Sequence, residues 1–190
     1  METTIFMIRH ADSPYAPGQE RTRGLSPEGR TAAERVADVL GDEGIDVIVS
    51  SSFARAVDTV RPLAERLELP IVPYEELAER LIKDAELRAE WQEVERAIER
   101  SFTDPDYALE GGETTRQVRT RAVPVVERLL RDHRGKRIAI GTHGNIMTII
   151  LQHFDPDIGY AFWKGTSKPD IYRLTFDEIS LVRIERMWTE

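Results

Sequence analysis

The sequence predicts an α/β fold, a three-layer α/β/α sandwich with a mostly parallel central sheet and a C-terminal β-hairpin. Three observations carry that prediction. Short apolar runs of strand length alternate with segments of helical periodicity along most of the chain. Helix starts are marked at Ser26-Pro27-Glu28 and near Thr114. The last two runs alternate around Asp177-Glu178 and read as a hairpin.

Each element has its own signature. Residues 4–8 (Thr-Ile-Phe-Met-Ile) are continuously apolar, as in a central strand covered on both faces. A polar loop with Pro and Gly spans residues 12–25. Ser26-Pro27-Glu28 combines a capping hydroxyl, proline at the first helical position and an acid in the first turn. The helix it opens turns Ala33, Val36, Ala37 and Leu40 inward and ends at Gly41 or Gly44.

Residues 46–49 form a second strand, capped by Ser50-Ser51-Ser52, and the next helix faces inward with Val57, Val60, Ala64 and Leu67. Pro62 predicts a bend there. Residues 71–73 predict a short edge strand. Between residues 77 and 101 the chain is highly charged, with Leu87, Trp91, Val94 and Ile98 on one helical stripe, and a loop follows over residues 103–112. A long helix starts near Thr114, with Val118, Ala122, Val126 and Leu129 inside and a kink expected at Pro124. Residues 137–141 are a strand, residues 145–154 an apolar helix, and residues 171–176 and 179–186 the hairpin.

Composition narrows the function. The 190 residues fit one domain, with 41% apolar and 32% charged residues, the balance of a globular protein. The expected organisation is a single domain over residues 1–190 with a lid-like helical insertion at about 77–112. No apolar run is long enough to span a bilayer, and no basic region precedes the first apolar run. Those features predict a cytoplasmic protein. Cysteine is absent, which excludes disulfides, thiolate catalysis and thiolate-bound metal. A formal net charge of −8 disfavours nucleic acid and anionic membranes as partners. The sequence is compatible with a homodimer.

In open α/β sheets ligands bind beyond the carboxyl ends of the strands. The first strand runs into Arg9-His10, the second into Ser50-Ser51-Ser52 with Arg55 one turn on, and the fourth into Thr142-His143-Gly144-Asn145. Two arginines and two histidines therefore converge on one sheet edge. Guanidinium forks bind phosphate oxygens in pairs, and a neutral imidazole is a competent nucleophile near pH 7. The expected ligand is a small phosphorylated molecule, with no metal and no cofactor. A metal held by His10, Asp12 and His143 is disfavoured, because the two arginines would repel it.

Five blocks of the sequence occur in a familiar order. Ile8-Arg9-His10-Ala11 resembles the R-H-[GA] signature of the histidine phosphatase superfamily, which includes the cofactor-dependent phosphoglycerate mutases. Residues 25–29 (Leu-Ser-Pro-Glu-Gly) resemble its L-[ST]-x-x-G helix start, and residues 50–56 its S-S-x-x-x-R-[AC] segment. Gly112-Glu113-Thr114 resembles its G-E-[ST] block and Thr142-His143-Gly144 its [ST]-H-G. The resemblance implies that His10 becomes phosphorylated while Arg9, Arg55 and His143 hold the phosphoryl group. It also implies a carboxylic acid for the leaving oxygen. The segment Leu77-Ala78-Glu79 assigns that role to Glu79, although the family's Gly-x-Trp-Glu-Gly run is missing here.

Glu113 is the runner-up and Asp12 the third choice for the acid. A His-Asp arrangement at the second histidine does not fit, because Gly144 follows His143. Ser13, Arg21, Arg23 and Asn145 are expected to line the pocket, with Tyr160 and Trp163 reaching towards it. The phosphatase branch fits better than a mutase, whose Leu-Asn-Glu-Arg-His-Tyr-Gly block and longer insertion are absent. A phospho-ligand binding module without turnover is the remaining alternative.

Overall fold

A computed structural model describes residues 1–84 and 87–189; within the predicted insertion, residues 85 and 86 lie outside the described residues. Six strands form one sheet: β1 (Glu2–Arg9), β2 (Val47–Ser51), β3 (Ile71–Tyr74), β4 (Arg137–Thr142), β5 (Asp170–Asp177) and β6 (Ser180–Arg186). Their spatial order is β3-β2-β4-β1-β5-β6. The first four are mutually parallel, and β5 and β6 join as an antiparallel hairpin beside β1. The chain passes from β1 out to β2 and β3, then returns to insert β4 between β1 and β2. That reversal puts the carboxyl ends of β1, β4 and β2 side by side.

Strand periodicity divides the core into two layers. Phe6 and Ile8 pack with Val36, Ala37 and Leu40 of α1 (Pro27–Leu40) and with Val60, Leu63 and Ala64 of α2 (Ala54–Leu67). Ile5 and Met7 pack on the opposite face. There they meet α3 (Trp91–Thr103), α4 (Thr115–Asp132) and α5 (Gly144–Phe154). All four β1 side chains are fully buried, and each such burial stabilises the fold by roughly 1.5–3 kcal/mol. The same alternation aims Arg9 towards the α5 layer and His10 towards the α2 layer.

Local signals explain the helix starts. Ser26 caps α1 by accepting from the Gly29 amide, and Thr114 and Gln117 form a reciprocal capping box on α4. Gly29 has a packing reason as well: a Cβ there would lie 2.2 Å from the Asp12 carbonyl oxygen. The missing side chain lets the loop after β1 lie directly on α1.

Four sequence expectations need correction. Strand β2 runs on through Ser50 and Ser51, so those residues are strand positions and not caps. The charged stretch becomes helical only at Trp91, because the chain before it is tied to the 107–113 loop. Arg80, 5% exposed, donates to the Glu113 carbonyl and to Ser101, and Asp84 donates its amide to Glu110. Trp91 is 63% exposed, so the inward stripe is Val94, Ala97, Ile98 and Phe102. Val57 is half-buried and outside the core, and Leu63 takes the inward position between Val60 and Ala64; Leu67, half-buried, does pack against the core as expected. A short helix, α6 (Tyr160–Gly165), had no sequence signal. Among the described residues no helix is long and apolar enough to cross a membrane.

Candidate active site

The turn that ends β1 places His10 at the floor of a cleft, 5% exposed. Its backbone continues the sheet by donating to the Thr142 carbonyl at 2.9 Å. The imidazole Nδ1 lies 2.7 Å from the Ala11 carbonyl, an acceptor only, so Nδ1 carries the proton. Ala11 is itself pinned to α2, because its amide donates to Thr59 Oγ1 at 2.9 Å. Nε2 therefore presents a lone pair, and Arg55 Nε donates to it at 3.2 Å.

Arg55 is the second residue of α2 and is 1% exposed. It is fastened from the loop after β1, with one terminal nitrogen 2.6 Å from the Glu20 carbonyl and the other 3.4 Å from Glu20 Oε2. Burial, then the neighbouring Arg23, push its pKa down to about 10, which leaves it a cation at neutral pH. Phe53 stacks beneath the guanidinium at 5.1 Å. Arg9 donates from one nitrogen to both the carbonyl and the hydroxyl of Thr166, while its buried Nε has no hydrogen-bond partner among the described residues. The Thr166 hydroxyl donates in turn to the Trp163 carbonyl. Gly144 makes room for Arg9, since a Cβ there would lie 2.7 Å from the guanidinium carbon.

His143 is fully buried and meets His10 edge-to-face, with ring centroids 5.2 Å apart. Ser51 Oγ accepts from the Phe53 amide and lies 2.8 Å from His143 Nε2. The other ring nitrogen, Nδ1, is buried and unpartnered among the described residues. Asn145 is 3% exposed, and both its amide oxygen and nitrogen are likewise unpartnered. Arg9 Nε, His143 Nδ1 and the side-chain amide of Asn145 thus lack partners among the described residues, and the His143 ring packs directly on that of His10.

Glu79 reaches the same place from the other side of the cleft. Its carboxylate accepts from the Asn145 amide at 3.2 Å, the Ile146 amide at 3.0 Å and the Arg80 amide at 2.8 Å. The free amides at the N-terminus of α5 thus take the Glu79 carboxyl group as their acceptor. Glu113 is placed differently. Its carboxylate takes two hydrogen bonds from Arg121 of α4, at 2.8 and 2.9 Å, and a third from the Leu81 amide.

The other expected lining residues divide. Ser13 and Arg23 are bonded to each other, and Ser13 also donates to the Gly24 carbonyl, so together they brace the 12–25 loop. Arg23 stays close enough to depress the pKa of both Arg55 and His143. Arg21 is exposed and forms a bidentate pair with Glu75, at 2.5 and 2.7 Å, on the rim. The Tyr160 hydroxyl turns away to Glu95 of α3. Trp163 touches the site only through Thr166. Asp12 is exposed, outside the cup. Thr166, Ser51 and Glu20 were not expected as site residues. Their roles depend on β5 lying beside β1 and on the loop folding back onto α2, which local sequence does not announce.

Known proteins resemble this chain in sequence and in fold. Residues 5–185 match the family described as the histidine phosphatase superfamily (branch 1). The chain belongs to that superfamily. A 2,3-bisphosphoglycerate-dependent phosphoglycerate mutase of Parvibaculum lavamentivorans is 28% identical, with 98% of this chain and 97% of that protein covered. A metal-independent phosphoserine phosphatase of Arabidopsis thaliana is 28% identical over 78% of this chain and 67% of its own length. The structure of a mycobacterial glucosyl-3-phosphoglycerate phosphatase has the same fold, with a TM-score of 0.77 and 24% identity. It covers 96% of each chain. Like other members of the histidine phosphatase superfamily, the protein is an enzyme of the phosphatase class.

Electrostatics sets a pH dependence of stability. Burial lowers the pKa of both His10 and His143 well below 6.5; for His10 the charges of Arg55 and Arg9 add to this, and for His143 protonation beside His10 is disfavoured further, as it is by Arg55, Arg23 and Arg9. Both are neutral in the folded protein when the unfolded chain begins to protonate them. The unfolded state then binds more protons, so stability falls as pH drops below about 6.5. Melting temperature should decline between pH 6.5 and 5, and less steeply in His143→Asn. An unchanged slope in that variant would show that His143 is charged in the fold.

Proposed function

We propose that the protein hydrolyses phosphomonoesters of small metabolites through a phosphohistidine on His10, without a metal ion. The observation that carries this reading is the His10 tautomer. Nδ1–H is engaged by the Ala11 carbonyl, and the Nε2 lone pair lies among Arg9, Arg55 and His143. A histidine that merely capped the strand would have no reason to keep its unprotonated nitrogen among cations.

The reaction follows from those positions. Nε2 of His10 attacks phosphorus, the ester P–O bond breaks, and the leaving oxygen takes a proton from the Glu79 carboxylic acid. Arg9, Arg55 and the Nδ1–H of His143 neutralise charge on the three equatorial oxygens. Water then attacks the phosphorus, Glu79 removes its proton, and the P–N bond breaks to release inorganic phosphate and neutral His10. The guanidinium groups supply the positive charge that magnesium supplies at other phosphoryl-transfer sites.

Phosphate release from p-nitrophenyl phosphate and from a panel of metabolite phosphates, with a chelator present, tests this reading. Turnover that persists in the chelator is expected. Loss of turnover on chelation would overturn metal independence. An isomerised phosphoglycerate with little free phosphate would favour the mutase reading, which the Parvibaculum relative's name raises.

A further inference from the structure

Lysine is scarce here, with four in the chain, and three are engaged. Lys83 donates to the carbonyls of Asp84 and Leu87, Lys136 pairs with Asp46, and Lys164 pairs with Glu95. Lys168 has no hydrogen bond or ion pair among the described residues. Its place in the fold is not remote. Thr166, two residues before it, holds the Arg9 guanidinium, and Asp170, two residues after it, is the β-sheet register partner of Arg9. The lysine therefore stands on the lip of the phosphoryl cup, on the β5 side.

Its surroundings make that position costly without an anion. The side chain as a whole is exposed, yet burial of its ammonium and the Arg9 charge lower its pKa. Arg9 and Arg23 repel it, while Asp12 and Glu79 attract it without coming within ion-pair distance. Arg9, Arg55 and His143 already match the oxygens of one phosphoryl group. A further cation beside them, in a protein of net charge −8, matches negative charge beyond that group.

We propose that Lys168 binds a second acidic group of the substrate, a carboxylate or a second phosphate carried on the same small molecule. This rests on the hydrolase reading above and narrows it to doubly acidic phosphomonoesters. The ammonium is a compact point charge on a flexible stem, suited to either acidic group at the lip of the cleft.

Matched substrate pairs test it. O-phosphoserine and phosphoethanolamine differ by one carboxylate; fructose 1,6-bisphosphate and fructose 6-phosphate differ by one phosphate. The readout is the ratio of kcat/KM within each pair, for the native protein and for Lys168→Met. The native protein should prefer the doubly acidic member of one pair by roughly 10-fold or more, the size of a charge-assisted hydrogen bond. Lys168→Met should bring that ratio close to one, and the responding pair tells carboxylate from phosphate. No preference in either pair, or a preference that survives the substitution, would overturn the proposal. Should the native protein turn over none of these compounds nor p-nitrophenyl phosphate, the hydrolase reading fails instead. Calorimetric Kd values for the same pairs then still decide the role of Lys168.

Discussion

His10→Ala should lower kcat for every phosphomonoester by at least about 10⁴-fold while the protein stays folded. The first expectation follows from the loss of the only nucleophile in the proposed route, since such losses in covalent catalysis reach or exceed that size. The second follows from position. His10 ends β1 beyond the four buried residues that anchor the strand, and its backbone bond to Thr142 needs no side chain. Removing the imidazole leaves Arg55 Nε without its partner, but the Arg55 terminal nitrogens keep Glu20. Circular dichroism and steady-state assays check both parts. Near-native turnover in the folded variant would remove His10 from the chemistry.

Glu79→Gln should slow alkyl phosphates by about 10²- to 10⁴-fold and aryl phosphates much less. An alkoxide is a poor leaving group and needs a proton as the P–O bond breaks; a nitrophenolate leaves without one. The substitution preserves size but cannot deliver a proton. It also disturbs the carboxylate's seat, because two amides at the start of α5 and that of Arg80 all need an acceptor. Equal losses on both substrate types would indicate a positional effect and transfer the acid role elsewhere. Glu113 is the control: its carboxylate is committed to Arg121 and the Leu81 amide, so Glu113→Gln should show no dependence on the leaving group.

Much of the site was legible in the sequence because three of its parts lie at strand ends. Arg9 and His10 follow an apolar run that can only be a central strand, and His143 follows another. Arg55 was legible from its distance to the serines that end β2. What could not be read depends on contacts between segments distant in the chain. Thr166 matters because β5 pairs antiparallel with β1, which brings residue 166 to Arg9 across 157 positions. Ser51 looked like a cap, yet it is a strand residue whose hydroxyl meets His143 Nε2 at 2.8 Å. The charged stretch before Trp91 has helical periodicity, but Arg80 and Asp84 spend their hydrogen bonds on the 101–113 region instead. Local pattern lost there to a buried guanidinium with three distant partners. Glu79 falls between these cases: its segment was recognisable, while its seat on α5 was not.

The acidic net charge and the cationic cleft are reconciled by the same geometry. Arg21, Arg61, Arg66, Arg116 and Arg137 are paired with carboxylates along the surface, where such pairs contribute about 0–1 kcal/mol each. Arg9 is instead fixed by neutral oxygens, and Arg55 is held mainly by a backbone carbonyl and more loosely by Glu20. Their charge is therefore available to a ligand.

Rapid acid-free quenching of the protein with a radiolabelled or ¹⁸O-labelled phosphomonoester, followed by peptide mass spectrometry in alkali, tests the centre of this account. A phosphoryl group on Nε2 of His10, stable to base and lost in acid, is the expected result. A phosphoryl group on any other residue, or turnover with no protein-bound phosphate at any time, would contradict it.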